Sequence, residues 1–341
     1  MQLFLFTQHV PLLFAEFEKE RRKEMVIRSV LSSMLMIFLM VIPGVIFRRG
    51  RMITEEQGDA VNSIIVNLTW PCLVIDAMQM EFSMDILKKS GCIFIICMIV
   101  SILLLLLSVP LARCLKFSRQ RQYLTAFMLL FGNTGFIGIP VARVLYGETA
   151  VFFMAIVEMV NDILIFTVGI FLIQLSAGKH IKAEWKKMLS PGMAGVLAGM
   201  VLFIGGITLP AALGGAVEML GNATTPLTMF MIGFQLGGLK GREIFSRWQN
   251  YIISICKLIL VPALCLAAVL VIKRVLLPGE SALSLMDKVV VLSFAMPVGS
   301  VAAIFSRQYR TDSEFAVRTV LLSTLFCFLT LPVFAVFVEK I

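Results

Sequence analysis

Charge is scarce in this 341-residue chain: Asp, Glu, Lys and Arg make up 15% of it, where soluble domains carry about 25%. Apolar residues fill 59% of the sequence and mean hydropathy is +0.94, which leaves too little polar side chain to wrap a water-soluble core. Soluble enzymes, nucleic-acid binders and secreted disulfide scaffolds are excluded on that ground. Histidine is almost missing. His9 and His180 alone occur, both outside the apolar runs, so His-based metal or acid–base chemistry has no place within a membrane. The seven cysteines (Cys72, Cys92, Cys97, Cys114, Cys256, Cys265, Cys327) lie in or at the ends of apolar runs without metal-ligand spacing and read as small hydrophobic groups. HExxH and GxGD are absent, which speaks against an intramembrane protease using Asp76 and Asp162 as its acid pair. Long polar linkers are missing as well: the stretch 176–189 (SAGKHIKAEWKKML) is short and basic, with no room for a soluble domain.

What the chain has is apolar runs. A spanning helix needs about 20 apolar residues, and run length and periodicity predict ten, at 29–47, 57–78, 91–112, 122–145, 149–175, 190–209, 214–237, 248–272, 287–306 and 314–338. The expected fold class is an all-α polytopic membrane protein. Residues 1–24 end in EFEKERRKEM without a small-residue cleavage site, so they read as an interfacial helix or as sequence upstream of a true start at Met25.

Two marks recur once in each half. Asn67, Thr69 and Pro71 in the second predicted span spell N-x-T-x-P, as do Asn222, Thr224 and Pro226 in the seventh. The fourth carries Gly132-Asn133-Thr134-Gly135 with Tyr146 thirteen residues after Asn133, and the ninth carries Ala295-Met296-Pro297 with Tyr309 thirteen after Met296. This predicts two five-helix repeats, 25–178 and 190–341, joined by a basic loop at 179–189. An odd number of spans in each turns the second repeat upside down relative to the first. Loops after the odd-numbered spans hold 17 Lys and Arg against 8 on the other side from Arg28 onward. The positive-inside rule then places the first group in the cytoplasm and both termini outside. Lys19, Arg21, Arg22 and Lys23 oppose this, a conflict that a start at Met25 removes.

In hydrocarbon an unpaired backbone group costs several kcal/mol, so a Gly-Asn-Thr-Gly run or a mid-span Pro persists only where the freed groups face protein, water or a ligand. Gly132 and Gly135 predict unwinding of the fourth span. Pro297, lacking an N–H, predicts a free carbonyl at Ser293 and a new helix starting at the proline itself. Inverted repeats bring both breaks together near the bilayer midplane. Two helix N-termini, each worth roughly +0.5 charge, would face one cavity and bind an anion without Arg or Lys. Gly132, Asn133, Thr134, Gly135, Met296, Pro297, Val298, Gly299 and Ser300 are the candidate binding residues. Asn67, Thr69, Pro71, Asn222, Thr224 and Pro226 either line the opposite wall or repair the backbone that their prolines open. Gly195-x-x-x-Gly199 reads as helix packing.

Ionisable residues within spans are costly and mark function. They are Asp76, Glu158, Asp162, Glu218 and Lys257. Glu158 and Asp162, four residues apart on one helix face with Asn161 between them, are candidates for carrying a coupling proton. Lys257 either snorkels or pairs with a carboxylate of the fifth span.

Gly132-Asn133-Thr134 with Gly138-Ile139-Pro140 and Tyr146-Gly147 resembles the fourth span of the auxin efflux carrier family, and Ala295-Met296-Pro297 followed by Tyr309 resembles its ninth. The Asn67-to-Pro71 and Lys257-to-Pro262 stretches and Thr330-Leu331-Pro332 fit as well, so the resemblance covers about 28–338. It implies ten helices in inverted repeats with broken, crossing helices four and nine. It also implies a scaffold of spans 1, 2, 6 and 7 and a transport part of spans 3–5 and 8–10. The implied activity is an elevator-like cycle carrying organic anions, in a homodimer, with no cofactor, metal or nucleic acid. Crossover roles fall on Asn133, Thr134 and Pro297. Gly132 stands where plant members have Pro, Val298 where they have Gln, and their long cytoplasmic loop is missing, so a small carboxylate such as malate or malonate is expected rather than auxin. The expected function is a secondary transporter in the cytoplasmic membrane, with a uniporter, an anion channel or a non-transporting sensor as alternatives.

Overall fold

A computed structural model describes Arg28 and residues 31–178, 190–238, 247–276 and 283–340. The segment 1–24 and the loop 179–189 lie outside the described residues. Among the described residues there are helices and no strand, with one isolated antiparallel bridge between Gly132 and Val298. The helices are α1 (Leu31–Arg49), α2 (Glu55–Ala77), α3 (Met84–Cys114), α4 (Arg119–Leu130), α5 (Thr134–Tyr146), α6 (Glu148–Ser176), α7 (Pro191–Gly205), α8 (Ala211–Asn222), α9 (Thr224–Gly237), α10 (Trp248–Arg274), α11 (Leu285–Phe294), α12 (Val301–Gln308) and α13 (Ser313–Lys340).

Among the described residues, six helices are long and apolar enough to cross a membrane: α1, α2, α3, α6, α10 and α13. Three of the other predicted spans are interrupted, and the one expected at 190–209 is the single short helix α7. The span expected at 122–145 is α4 and α5, that at 287–306 is α11 and α12, and that at 214–237 divides at Ala223 into α8 and α9.

Proline also shapes helices that continue through it. A proline ring collides with the carbonyl four residues back, and here the helix responds by taking up one extra residue just upstream. π-Turns at Ile65–Thr69, Thr134–Gly138 and Cys256–Leu260 precede Pro71, Pro140 and Pro262. In each, the residue before the proline donates to the carbonyl five back: Trp70 to Ile65, Ile139 to Thr134 and Val261 to Cys256. Such bulges are frequent at functional sites; the one at Thr134–Gly138 lies at a helix break described below, and the one at Cys256–Leu260 carries Lys257, which reaches that break.

Packing sorts the helices into two groups that each draw on both halves of the chain. In one, α1 lies against α9, and α2 against α7 and α8. The α1–α9 approach is backbone to backbone. A Cβ on Gly44 would stand 1.9 Å from the Phe230 carbonyl oxygen, and one on Gly233 would stand 1.9 Å from that of Val41. Gly195 and Gly199 likewise face Pro71 and Met78 across the α7–α2 contact. In the other group, α3 packs on α4, α4 on α6, α6 on α11 and α10 on α13. Phe127, Phe131, Phe152 and Phe153 are fully buried there.

Candidate functional site

Thirteen residues after the N-cap of α4, the chain stops being helical and becomes extended at Phe131 (φ −95°, ψ 113°). That places three residues, 131–133, beside the stretch 297–299. Asn133 N–H donates to the Pro297 carbonyl at 2.8 Å and Gly299 N–H to the Phe131 carbonyl at 3.0 Å. The two interrupted helices are thus joined at their breaks by a pair of antiparallel hydrogen bonds. Glycine at 299 is needed for this approach, since a Cβ there would sit 3.0 Å from the Gly132 carbonyl oxygen. Val298 N–H, which points away from the bridge, is taken by Ser323 Oγ of α13 at 3.1 Å.

Two details differ from the sequence expectation. The Ser293 carbonyl is not left free: the chain tightens at the end of α11, and Met296 N–H donates to it at 3.4 Å. The second half-helix starts at Val301, not at Pro297, because Pro297, Val298 and Gly299 are committed to the bridge. On the other strand of the crossing the half-helix does begin after Asn133, whose carbonyl accepts from Ile137 and Gly138 N–H, both at 3.1 Å.

Leu129 would normally share its carbonyl with the N–H four residues on, that of Asn133. The bridge diverts that N–H, and Lys257 replaces it. The Lys257 side chain is fully buried, and its Nζ donates to the Leu129 carbonyl at 2.9 Å and the Leu130 carbonyl at 3.5 Å. Lys257 therefore neither snorkels nor pairs with an α6 carboxylate. It closes the C-terminal end of α4.

The α6 cluster meets the crossing through Thr134. The Thr134 hydroxyl donates to the Glu158 carboxylate and accepts from Asn161 Nδ2 at 2.6 Å. Thr134 is buried while Glu158, Asn161 and Asp162 are half-buried. Asp162 turns away and accepts from Ser190 Oγ at 2.8 Å, while Ser190 caps the N-terminus of α7. Gly135 lies against Glu158 and the Trp70 ring of α2. Met296 is fully buried and faces Gly132 and Gly138.

In front of the crossing lies a cavity of about 410 Å3, within the usual range for small-molecule sites, roughly 300–1,000 Å3. Asn133 and Phe136 from the start of α5, and Ser300, Ala303, Ile304 and Arg307 from α12, form one wall. Arg48 of α1, Glu55, Asp59, Asn62 and Val66 of α2, and Met231, Phe234 and Gln235 of α9 form the other. First-turn N–H groups of a helix have no intrahelical acceptor, and the starts of both α5 and α12 contribute to this wall. Arg48 is held by Glu55 at 3.0 Å and lies over the Phe234 ring. Arg307 has no ion-pair partner among the described residues.

The N-x-T-x-P pairs sit elsewhere. Asn67 donates to the Ser63 carbonyl at 2.8 Å and Thr69 to the Ile65 carbonyl at 3.5 Å, both along their own helix. Asn222 ends α8 and is exposed, Thr224 opens α9 and is buried, and Pro226 falls in the first turn of α9. Pro71 meets Gly195, and Gly221 passes 2.8 Å (from a built Cβ) from Leu73 Cα, so the two pairs lie near each other. None of the six lines the cavity; Asn62 and Val66, one turn earlier on α2, do. Asp76 is half-buried and Glu218 exposed, both away from it. Sequence reasoning passed over the cavity residues Arg48 and Arg307, which fall among the loop charges, and Ser323, which accepts the Val298 N–H behind the crossing.

A family model described as a membrane transport protein matches residues 29–184 and 178–335, nearly the whole chain. The chain belongs to this membrane transport family, the auxin efflux carrier family of the sequence resemblance. Two archaeal relatives align over most of their length. An uncharacterised transporter of Methanocaldococcus jannaschii is 24% identical over 308 residues, covering 87% of this chain and 95% of the relative. One of Methanothermobacter thermautotrophicus is 21% identical over 309 residues, covering 89% and 97%. With its long apolar helices, the protein is a multi-pass membrane transporter.

Proposed function

We propose that this transporter is a secondary carrier of a small organic anion, most simply a carboxylate, and that the anion binds where α5 and α12 begin. The observation that carries the reading is the joined break: two helix N-termini, held at one crossing by the Asn133–Pro297 and Phe131–Gly299 hydrogen bonds, open onto the same cavity. Positive helix ends attract anions, Asn133 and Ser300 add side-chain donors, and Arg307 supplies a cation without a competing carboxylate partner among the described residues.

The reading includes the finer architecture of ten membrane helices as two inverted five-helix repeats, the α4/α5 and α11/α12 pairs each counting as one broken span, as does α8/α9. It also includes a scaffold of α1, α2 and α7–α9 against which α3–α6 and α10–α13 slide in an elevator-like cycle, within a homodimer in the cytoplasmic membrane. What supports the sliding is the cavity's position, with one wall from each group. What supports a carrier over an open channel is the crossing beside Asn133, where Phe131, Met296 and Val298 are buried. Arg48 and Arg307 belong to the Lys- and Arg-rich side, which the positive-inside rule assigns to the cytoplasm, with both termini outside, so the cavity corresponds to an inward-facing state. In this reading Glu158 and Asp162 carry a coupling proton next to Thr134, with Asn161 as the hydrogen-bonding residue between them.

The test is uptake of radiolabelled malate and malonate into proteoliposomes, compared between wild type, Asn133→Ala and Pro297→Ala. Both variants should lose at least tenfold in rate. Wild-type rates in either would remove the crossing as the site. A thermal-shift panel of carboxylates identifies the substrate class, since a ligand at a hundred times its Kd adds about 2.7 kcal/mol of stability.

A further inference from the structure

Lys257 is the one fully buried cation of α10, and the cavity wall does not include it. Carrying a buried ammonium costs several kcal/mol unless it is well partnered, and its partners here are two main-chain carbonyls rather than a carboxylate. We infer that Lys257 sets the sign of the charge that the crossing accepts, an inference that rests on the anion-carrier reading above.

Each broken helix brings two ends to the crossing, a positive N-terminus and a negative C-terminus of similar size, roughly half a charge. Left alone, the four ends would nearly cancel, and the site would favour neither sign. The C-terminus of α11 folds onto itself: Ala295 and Met296 N–H groups donate to the carbonyls of Val291, Leu292 and Ser293. The C-terminus of α4 cannot, because Asn133 N–H is spent on the bridge, and the Lys257 ammonium covers the Leu129 and Leu130 carbonyls instead. A whole positive charge set against a partial negative one leaves the crossing net positive. Beside Lys257 lies a small cavity of about 10 Å3, the size of one water, where the polar side chains of Ser101, Thr134, Asn161 and Ser293 share a mostly apolar lining with Leu130, Val157, Val160 and Phe294. Without the ammonium, the Leu129 and Leu130 carbonyls would face this hollow beside the Ser101, Thr134 and Ser293 hydroxyls, oxygen donors of the kind that hold a monovalent cation. Lys257 is thus a built-in counter-ion where a free cation would otherwise bind.

Two readouts test this. In thermal unfolding of detergent-solubilised protein, ethylammonium chloride replaces choline chloride at constant ionic strength. Lys257→Ala should gain stability with ethylammonium, which refills the vacated amine position. Wild type and Lys257→Met, whose side chain still fills the space, should not respond. In proteoliposomes, Lys257→Met should lose at least tenfold in labelled malate uptake. Ser101→Asp keeps the lysine but offers it a carboxylate across the small cavity, and should lose uptake to a similar degree; it decides the matter if the Lys257 variants do not fold. A Lys257→Ala protein indifferent to ethylammonium, or malate uptake at wild-type rate in Lys257→Met or Ser101→Asp, overturns the inference. Wild-type protein that moves no carboxylate would instead count against the anion-carrier reading, leaving the ethylammonium response to judge Lys257 by itself.

Discussion

Thr134 is the point at which the crossing is tied to α6, and replacing it isolates that tie. Thr134→Val keeps the shape and removes one hydroxyl. That hydroxyl donates to Glu158 and accepts from Asn161, so the change deletes a hydrogen bond to a carboxyl group and leaves an amide N–H short of an acceptor. Asn161 retains only a long contact of 3.5 Å to Glu158. A hydrogen bond to a charged group contributes about 1.5–3 kcal/mol, and an orphaned buried group costs about 1–3. Glu158 and Asn161 are half-buried and regain some water, which puts the total at the low end, about 2 kcal/mol. Unfolding by SDS titration in mixed micelles should show this loss, whereas Thr134→Ser, which keeps the hydroxyl and loses one buried methyl, should cost only about 1 kcal/mol. A cycle of Thr134→Val, Glu158→Leu and the double variant should give a coupling of about 1–2 kcal/mol, since residues sharing a network are not additive. If Thr134→Val unfolds as wild type does, or Thr134→Ser is equally damaging, the tie does not hold the crossing.

Three further outcomes follow from other parts of the structure. Gly233→Ala and Gly44→Ala each force α1 and α9 apart, because the new Cβ would meet a carbonyl oxygen at 1.9 Å. Each should cost about 1–3 kcal/mol or more in the same SDS titration, and the double variant less than the sum, because one separation relieves both clashes. Arg307→Gln should raise the apparent KM for carboxylate uptake roughly ten- to a hundredfold, the equivalent of about 1.5–3 kcal/mol for a charged hydrogen bond, while Arg48→Gln, whose parent is already held by Glu55, should change it less. Lys116 adopts a left-handed conformation (φ 55°) just after α3, which costs a side-chain-bearing residue about 1–2 kcal/mol. Lys116→Gly should therefore stabilise the protein by about 0.5–1 kcal/mol after the entropy of the more flexible unfolded chain is subtracted.

The places where helices are interrupted were readable from the sequence, and what happens at each interruption was not. Gly132-Asn133 and Pro297 announce a break because their chemistry is local: one permits unwinding, the other removes a donor. Where the freed groups find partners is a tertiary matter. The half-helix at Val301 starts four residues after the proline because Pro297–Gly299 pair with Phe131–Asn133, and that pairing joins residues more than 160 positions apart. For the same reason Lys257 had two plausible roles and adopts neither: its acceptors are carbonyls orphaned on another helix. Asn67 and Thr69 look like site residues by type, yet they bond within their own helix, as short polar side chains commonly do. Arg307 reads as a loop charge until α12 carries it to the cavity wall.

These partners bear on how the proposed cycle can work. Several of the backbone groups that the breaks release near the crossing are taken up by groups in the same set of helices. Asn133 and Gly299 N–H bond across the bridge, Val298 N–H goes to Ser323 on α13, and the α4 carbonyls go to Lys257 on α10. Rewinding either broken helix would strip several of these bonds at once, in surroundings where an unpaired group costs several kcal/mol. By contrast, the face that the crossing presents to α1, α2 and α9 is the open cavity, and among the described residues Asp162–Ser190 is a hydrogen bond linking α6 to the other helix group at α7. In the proposed cycle the low-cost motion would therefore be displacement of the intact crossing as one body past α1 and α9, breaking a contact such as Asp162–Ser190 rather than the backbone bonds of the site. Ser190→Ala should then shift the balance between inward- and outward-facing states, read as altered accessibility of a cysteine placed at Ser300, while leaving carboxylate affinity within about twofold. A variant that weakens binding without changing accessibility would mean that Ser190 acts on the site and not on the sliding surface.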